Sequence, residues 1–400
     1  MIPLLAQMRF PAPEFENYTL PEMGLEAEVP EMIFWRLAAL MVFLVLSGIG
    51  FYHFRSRRAM LLLAAGGWFV FGFWFSACPC SVGMFQNIAE SAVVGTPIPL
   101  GVILLFAIPL ACAIFWGRLF CAGACPLGAV QEWLHWKNVP VPLPVDRVLR
   151  MVPVLVLTLC TVMAASGMGY YLCRLDPWLP MFFAAVPTTV GVLTLILLVT
   201  GLFVSRPFCR YLCPYGVLLR FFTLFSPARP QITPQPCIRC RLCEQGCPNG
   251  AILPPEPEER SEVQKEGLRR LSLLVACVPF ALFFGGLLGT LAAPAVSSLH
   301  RDVRLLRELR AGAETKEVEA FEVSGTTLAE LHARVAMAEN RVLVGMCLGG
   351  IFFAGCGMAE LIANARRRQE EEVYQIVPSL CFCCGRCYST CPLNRKEVSS

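Results

Sequence analysis

Seven apolar runs, at about 32–53, 59–77, 98–117, 151–169, 184–205, 271–293 and 341–362, dominate this chain of 400 residues, and each approaches the roughly 20 residues that a helix needs to cross a bilayer. In lipid the backbone must satisfy its own polar groups, which leaves helices or closed barrels. Unbroken apolar stretches, rather than alternating ones, select helices. With 56% hydrophobic and 16% charged residues the chain is too apolar for a soluble protein of this size. The expected fold class is therefore an all-α polytopic membrane protein of about seven transmembrane helices. The net charge of +4 is small and scattered over loops, so it informs topology and leaves no nucleic-acid footprint.

Basic residues mark the cytoplasmic ends of spans. In a seven-span arrangement Arg55, Arg57 and Arg58, then Arg118, Lys137, Arg147 and Arg150, then Arg206, Arg210, Arg220 and Arg229 share one side. Arg269, Arg270 and Arg366 to Arg368 join them, whereas segments 1–31, 78–97 and 170–183 carry only Arg9 and Arg174. This predicts a multi-pass protein of a bacterial inner membrane. Segment 1–31 lies outside, the transmembrane core spans 32–229, and the C-terminus is cytoplasmic. A linker and the sixth span cover 259–294, an outer helical loop 295–340, and the seventh span 341–365.

The 21 cysteines cluster in short motifs, which favours metal binding over a disulfide framework. Cys237, Cys240, Cys243 and Cys247 before Pro248 return as Cys381, Cys384, Cys387 and Cys391 before Pro392. Thiolates three residues apart wrap three corners of a cubane, and the fourth can reach across to a second cluster. The expected cofactors are two [4Fe–4S] clusters: Cys237, Cys240 and Cys243 with Cys391 around one, Cys381, Cys384 and Cys387 with Cys247 around the other. The motifs begin 144 positions apart (381 minus 237). A hairpin of the sixth and seventh spans resolves this separation, bringing 230–258 and 366–400 together as a small ferredoxin-like module on the cytoplasmic side.

The membrane part repeats itself. Cys121 and Cys125-Pro126 close the third run, Cys209 and Cys213-Pro214 the fifth, and both cysteines are offset by 88 residues (209 minus 121, 213 minus 125). The duplicated unit is a helix pair. Two thiols four residues apart share one face or turn and make half of a four-sulfur site. Convergence of Cys121, Cys125, Cys209 and Cys213 would give a third iron–sulfur or other metal site; as plain thiols they would simply mark a tight helical turn.

Membrane spans, two CxxxCP pairs and two CxxCxxCxxxCP motifs together resemble the NapH/NosR-type membrane polyferredoxins, related to the FixG/RdxA-like proteins, over about 60–400. The resemblance implies an electron-transfer component, with subunit membership of a quinol dehydrogenase left open. It would relay electrons between a quinol or cytoplasmic donor and a membrane or periplasmic redox partner. No large flavin domain or immunoglobulin-like domain accompanies the core, which is most similar to the NapH kind. The alternatives are an assembly factor that reduces a metal such as copper for a partner metalloenzyme, and a scaffold holding structural zinc. Expected partners are lipid and redox proteins, with quinone open and nucleic acid excluded.

Other residues carry blander expectations. Cys383 is a spare thiol inside the second motif, and Cys112, Cys160, Cys277, Cys347 and Cys356 act as small buried hydrophobes. Cys78 or Cys80 is expected to bridge to Cys173 on the outer side. His53 and His135 near the cytoplasmic boundary and His300 and His332 in the outer loop leave no axial ligands inside the spans, which disfavours haem. Ser324 to Thr327 faintly resembles a flavin attachment sequence, but Thr327 with Glu330 reads better as a capping box, which disfavours flavin too.

Overall fold

The computed structural model describes residues 30–75, 81–95, 97–169, 173, 176, 187–227, 232, 237–253, 262–366 and 374–393, most of them helical. Helix α1 (Pro30–Gly48) runs into a π turn at Ile49–His53, and α2 (Arg57–Gly67) into another at Trp68–Trp74. Then come α3 (Ser81–Val94), α4 (Leu100–Trp116), a π turn at Phe120–Ala124, α5 (Pro126–Leu134), α6 (Leu143–Leu149) and α7 (Val152–Ala165). After these follow α8 (Thr188–Phe203), α9 (Pro207–Tyr211) and α10 (Pro214–Phe222). The starts of α4 and α8 and the ends of α5 and α10 differ by 88 residues each (188 minus 100, 222 minus 134). The 88-residue offset read from the cysteines thus recurs at these helix boundaries, although Cys121 lies in a π turn and Cys209 in an α-helix. Pro126 and Pro214 both open their helices, where a missing N–H forfeits no bond.

Among the described residues, four helical stretches are long and apolar enough to cross a membrane: Met32–His53, Pro144–Ala165, Leu271–Ser297 and Leu328–Ile362. The runs expected at 98–117 and 184–205 form helices of 17 and 16 residues. Gly117, at a φ of 78°, turns the chain out of α4, and Val204 is extended after α8. The run expected at 59–77 is α2 with its π turn, ending at Trp74.

The remaining elements are α11 (Leu242–Gly246), β1 (Ile252–Leu253), α12 (Glu262–Ser297), α13 (Arg301–Ala311), α14 (Lys316–Val323), α15 (Leu328–Arg366), β2 (Gln375–Ile376) and α16 (Arg386–Thr390). Helices α12 and α15 form a hairpin closed by small residues. A Cβ at Gly289 would lie 2.0 Å from the Met346 carbonyl oxygen, and one at Gly350 2.0 Å from that of Gly285. Close backbone approach of this kind drives helix association where lipid offers no hydrophobic gradient. The outward side of α12 presents Phe280, Phe283, Leu288 and Leu291, all exposed, as expected of a helix bathed in hydrocarbon. Gly289→Leu should therefore part the hairpin, costing at least the roughly 1–3 kcal/mol of ordinary overpacking. Limited proteolysis of the purified chain should then cut between α12 and α15 faster than in the parent protein.

At the far end α13 packs on the start of α15 through Val303, Leu305, Leu306, Leu331 and Val335, with Val318 and Phe321 of α14 against that cluster. The Thr327 hydroxyl accepts from the Glu330 N–H at 3.3 Å and opens α15. The last span and the cap helix are thus one continuous helix, beginning 13 residues before the 341 expected from hydropathy (341 minus 328). The capping box of Thr327 with Glu330 already marks this start of a helix that runs into the seventh span.

Candidate metal centres

The two ferredoxin motifs form one unit. β1 pairs antiparallel with β2, Ile252 opposite Ile376 and Leu253 opposite Gln375, and the Val377 N–H donates to the Ala251 carbonyl at 2.7 Å. Helices α11 and α16, offset by 144 residues at both ends (386 minus 242, 390 minus 246), pack on each other. A Cβ at Gly246 would lie 2.7 Å from Thr390 Cγ2, its own counterpart.

The loops before these helices share an uncommon backbone. Arg239 and Arg241 have φ of 50° and 61°, and their counterparts Cys383 and Gly385 have 52° and 74°. Left-handed non-glycine residues are rare, and their recurrence at matched positions shows that both loops wrap their cysteines in one geometry. Cys383 thus occupies a backbone corner where the first motif has Arg239. N–H groups aim at sulfur as well: Cys383 N–H at Cys381 Sγ and Ala251 N–H at Cys247 Sγ, both 3.4 Å.

Cys247, from the first motif, lines one cavity together with Cys381, Cys384 and Cys387 of the second, walled by Phe51, Ile252 and Ile376. Cys237, Cys243 and Cys391 pack in one apolar cluster with Ile232, Tyr374 and Ile376, which Cys247, Cys381 and Cys387 also border. Cys240 is exposed. Burial pushes the Cys243 thiol up to about 11 and that of Cys384 up to about 12. Such thiols ionise poorly until a metal coordinates them.

Of the CxxxCP cysteines, Cys121 and Cys209 belong to one buried apolar cluster, and Cys125 and Cys213 pack against it. Cys121 lies in a π turn, a form common at functional positions, Cys209 lies in α9, and both are buried. Gln131 Nε2 donates to Cys209 Sγ at 3.2 Å while its Oε1 accepts from the Phe208 N–H at 2.9 Å. Burial, then charge on Cys209 and Cys121, pushes Cys125 up; burial and all three partners push Cys213 up. The four sulfurs therefore share one electrostatic neighbourhood.

Two arginines hold the halves together crosswise. Arg206 Nη1 donates to the Cys121 carbonyl at 2.7 Å, beside Gly128, where a Cβ would lie 2.3 Å from that carbonyl. Its counterpart Arg118 puts Nη2 3.2 Å from where a Cβ on Gly216 would be, beside the Cys209 carbonyl. Both guanidinium groups lie over the ring of Phe382, at 4.1 Å for Arg118 and 5.4 Å for Arg206. Phe382 directly follows Cys381 and is 3% exposed. One ring from the second ferredoxin motif thus plugs the seam of the duplicated membrane unit.

Glu132 secures that plug. Its carboxylate meets Arg206 Nε at 3.1 Å, Arg386 Nη2 at 2.7 Å and Arg57 Nη2 at 3.6 Å. Burial raises the Glu132 carboxyl, but Arg206, then Arg386 and Arg57, outweigh it and hold the group below the usual carboxylate range. Gln131, Glu132 and Phe382 escaped the sequence reading. The 88-residue offset held a signal: it aligns Glu132 with Arg220, an acid against a base.

The donor sets are all sulfur, with N–H groups aimed at Cys247, Cys381 and Cys209. Among the described residues no three His, Cys, Asp or Glu side chains come close enough to hold a single metal ion. Thiols spread over the corners of a multi-iron cluster need no such convergence, so the residues present fit that group. Cys78 and Cys80 lie outside the described residues, whereas the Cys173 thiol donates to Gln86 Oε1 at 2.9 Å. His300 caps α13, its Nδ1 accepting from the Asp302 N–H, and His135 is buried.

Residues 98–142 and 186–230 each match the 4Fe-4S binding domain family. The matches start 88 residues apart (186 minus 98), and each contains one CxxxCP pair rather than a ferredoxin motif. Similar proteins include YccM of Escherichia coli (strain K12), named as a candidate electron transport protein, 29% identical over 33% of this chain and 42% of its own length. Protein NirI of Paracoccus denitrificans is 32% identical over 35% of this chain and 23% of its length. The methylamine utilization ferredoxin-type protein MauN of the same organism is 29% identical over 35% of this chain and 51% of its length. The chain thus covers less than two thirds of each of these relatives. No solved structure matches. In its two 4Fe-4S binding domains, its membrane-length helices and its ferredoxin-type relatives, the chain resembles the NapH/NosR-type membrane polyferredoxins.

Proposed function

We propose that this protein is a membrane-bound electron relay. Cys237, Cys240, Cys243 and Cys391 hold one [4Fe–4S] cluster, Cys381, Cys384, Cys387 and Cys247 a second, and Cys121, Cys125, Cys209 and Cys213 a third. Bound clusters would supply one-electron transfer between a quinol or cytoplasmic donor and a membrane or periplasmic partner. The chain's own residues ligate, space and tune. The seven spans, with segment 1–31 outside and all three cysteine sites cytoplasmic, complete the reading.

The observation that carries it is the cavity lined jointly by Cys247 and three cysteines beginning 134 residues later (381 minus 247). Phe382 and Glu132 support the order of the sites, since they dock the second motif against the CxxxCP tetrad. N–H donors at Cys247 and Cys381 and the Gln131 amide at Cys209 stabilise negative sulfur. Iron and sulfide quantified after anaerobic purification, with low-temperature EPR, test the reading. About 12 Fe per chain is expected, falling to about 8 when Ala replaces all four CxxxCP cysteines. A colourless protein loaded with zinc would refute it.

A further inference from the structure

The two ferredoxin loops repeat at an offset of 144 residues (382 minus 238), yet their surroundings are opposite. In the second loop Phe382 and Cys383 are 3% and 2% exposed, and Cys383 Sγ lies 3.7 Å from where a Cβ on Gly117 would be. Gly385 stands where a Cβ would meet Arg57 Cα at 3.3 Å, and Arg386 reaches Glu132 at 2.7 Å. All four face the membrane unit. Subtracting 144 gives Ile238, Arg239, Arg241 and Leu242. Ile238 is 58% exposed and Leu242 44%, and Arg239, Cys240 and Arg241 between them are exposed as well. One loop is docked; its copy is open.

The chemistry changes with the surroundings. Where the docked loop has a thiol and a glycine, the open loop has two arginines, both at positive φ. A left-handed corner favours glycine, as at Gly385, so wrapping the cysteines does not account for arginine at these positions. Neither arginine pairs with a carboxylate among the described residues. Even with Glu244, partly buried on α11, the loop and its helix carry net positive charge. Exposed apolar side chains rimmed by polar ones mark interaction sites, and here they flank an exposed cysteine of the first motif.

We propose that residues 238–242 are the docking face for a soluble one-electron carrier protein whose cofactor edge is ringed by carboxylates. The carrier arrives reduced and leaves oxidised by one electron, which passes to the site of Cys237, Cys240, Cys243 and Cys391; no proton moves and no bond changes. Ile238 and Leu242 supply apolar contact, Arg239 and Arg241 the charge that steers an acidic partner, and Cys240 a sulfur at the surface. Redox encounters sit at the small end of interfaces, below about 1,200 Å2, so one loop and its rim suffice. The docked copy shows the same recipe, with Phe382 entering an apolar seam while Arg386 meets a carboxylate. The inference rests on the relay reading and selects a soluble protein donor for this site.

The full chain, purified anaerobically into phosphatidylcholine nanodiscs and oxidised, is mixed with pre-reduced plant-type [2Fe–2S] ferredoxin, an acidic carrier, or with the methyl viologen radical cation, which needs no docking face. Rapid-freeze EPR follows the arrival of electrons. R239E with R241E should slow reduction by the ferredoxin about tenfold or more at low salt, a difference that shrinks as salt screens the charges, while iron content stays at the parent level. The viologen rate should be equal or higher in the same variant, because the radical is itself a cation; arginines that only tuned the potential or held the loop would slow both reactions when reversed. Ferredoxin rates that match in parent and variant overturn the proposal, as does a chain that the viologen reduces and the ferredoxin does not. If nanodiscs containing phosphatidylserine shield Arg239 and Arg241 from trypsin and neutral ones do not, the bilayer occupies the loop and the proposal falls. A chain without iron, or one that neither donor reduces, refutes the relay reading itself, so the two failures are distinguishable.

Discussion

Cys247→Ser is expected to damage the site of the second ferredoxin motif and spare that of its own. Cys247 shares its cavity with Cys381, Cys384 and Cys387, a cavity that Cys391 does not line; Cys391 is buried beside Cys237 and Cys243 in a cluster that Cys247, Cys381 and Cys387 also border. The EPR change produced by Cys247→Ser should therefore match that of Cys384→Ser, and the change produced by Cys391→Ser should match that of Cys240→Ser. Each pair lies more than a hundred residues apart in sequence. Each single variant should lose or convert one of the [4Fe–4S] complements, about 4 Fe per chain at most. If Cys247→Ser instead reproduced Cys240→Ser, each motif would close its own cluster, and the paired helices α11 and α16 would be a contact without ligand exchange.

Much of this arrangement is legible in the chain because its determinants are local. CxxCxxCxxxCP sets thiol spacing within a few residues, and the 88-residue offset is visible by aligning Arg118 with Arg206. Long apolar runs announce the hairpin of α12 and α15, although Gly289 and Gly350 as its points of contact depend on which faces meet. The polar network was not legible for a different reason. Arg210 reads as a mark of the cytoplasmic side, yet in the fold it pairs with Asp146. Glu132 reads as one acid on an amphipathic helix, yet it meets cations from α2, from the start of α9 and from the second motif. Such partners come from segments up to 254 positions away (386 minus 132), and only packing decides among them. The end of α4 is local too: Gly117 closes the helix where the apolar run at 98–117 stops, just before Arg118.

Glu132→Ala should be the most damaging substitution outside the cysteines. Removing one partner from a buried ion pair costs about 3–5 kcal/mol, because the remaining charge stays desolvated; an exposed pair is worth about 0–1 kcal/mol. Here Arg206, 1% exposed, loses its carboxylate, and Arg386 loses its grip on the membrane unit, while Arg57, partly exposed, is rehydrated at lower cost. The second ferredoxin motif should then undock around Phe382. Thiol-reactive probes on metal-free protein should label Cys383, now 2% exposed, far faster in the variant. The pH dependence fixes the sign. Glu132 titrates lower in the folded chain than in the unfolded one, so its contribution is full above the ordinary carboxylate value of about 4.3 and is lost as pH falls through the folded value. Parent and Glu132→Gln proteins should therefore differ in Cys383 labelling at neutral pH and converge on acidification. A difference that grew as pH fell would mean that the carboxyl is protonated in the fold, and that the three arginines are balanced by sulfur instead.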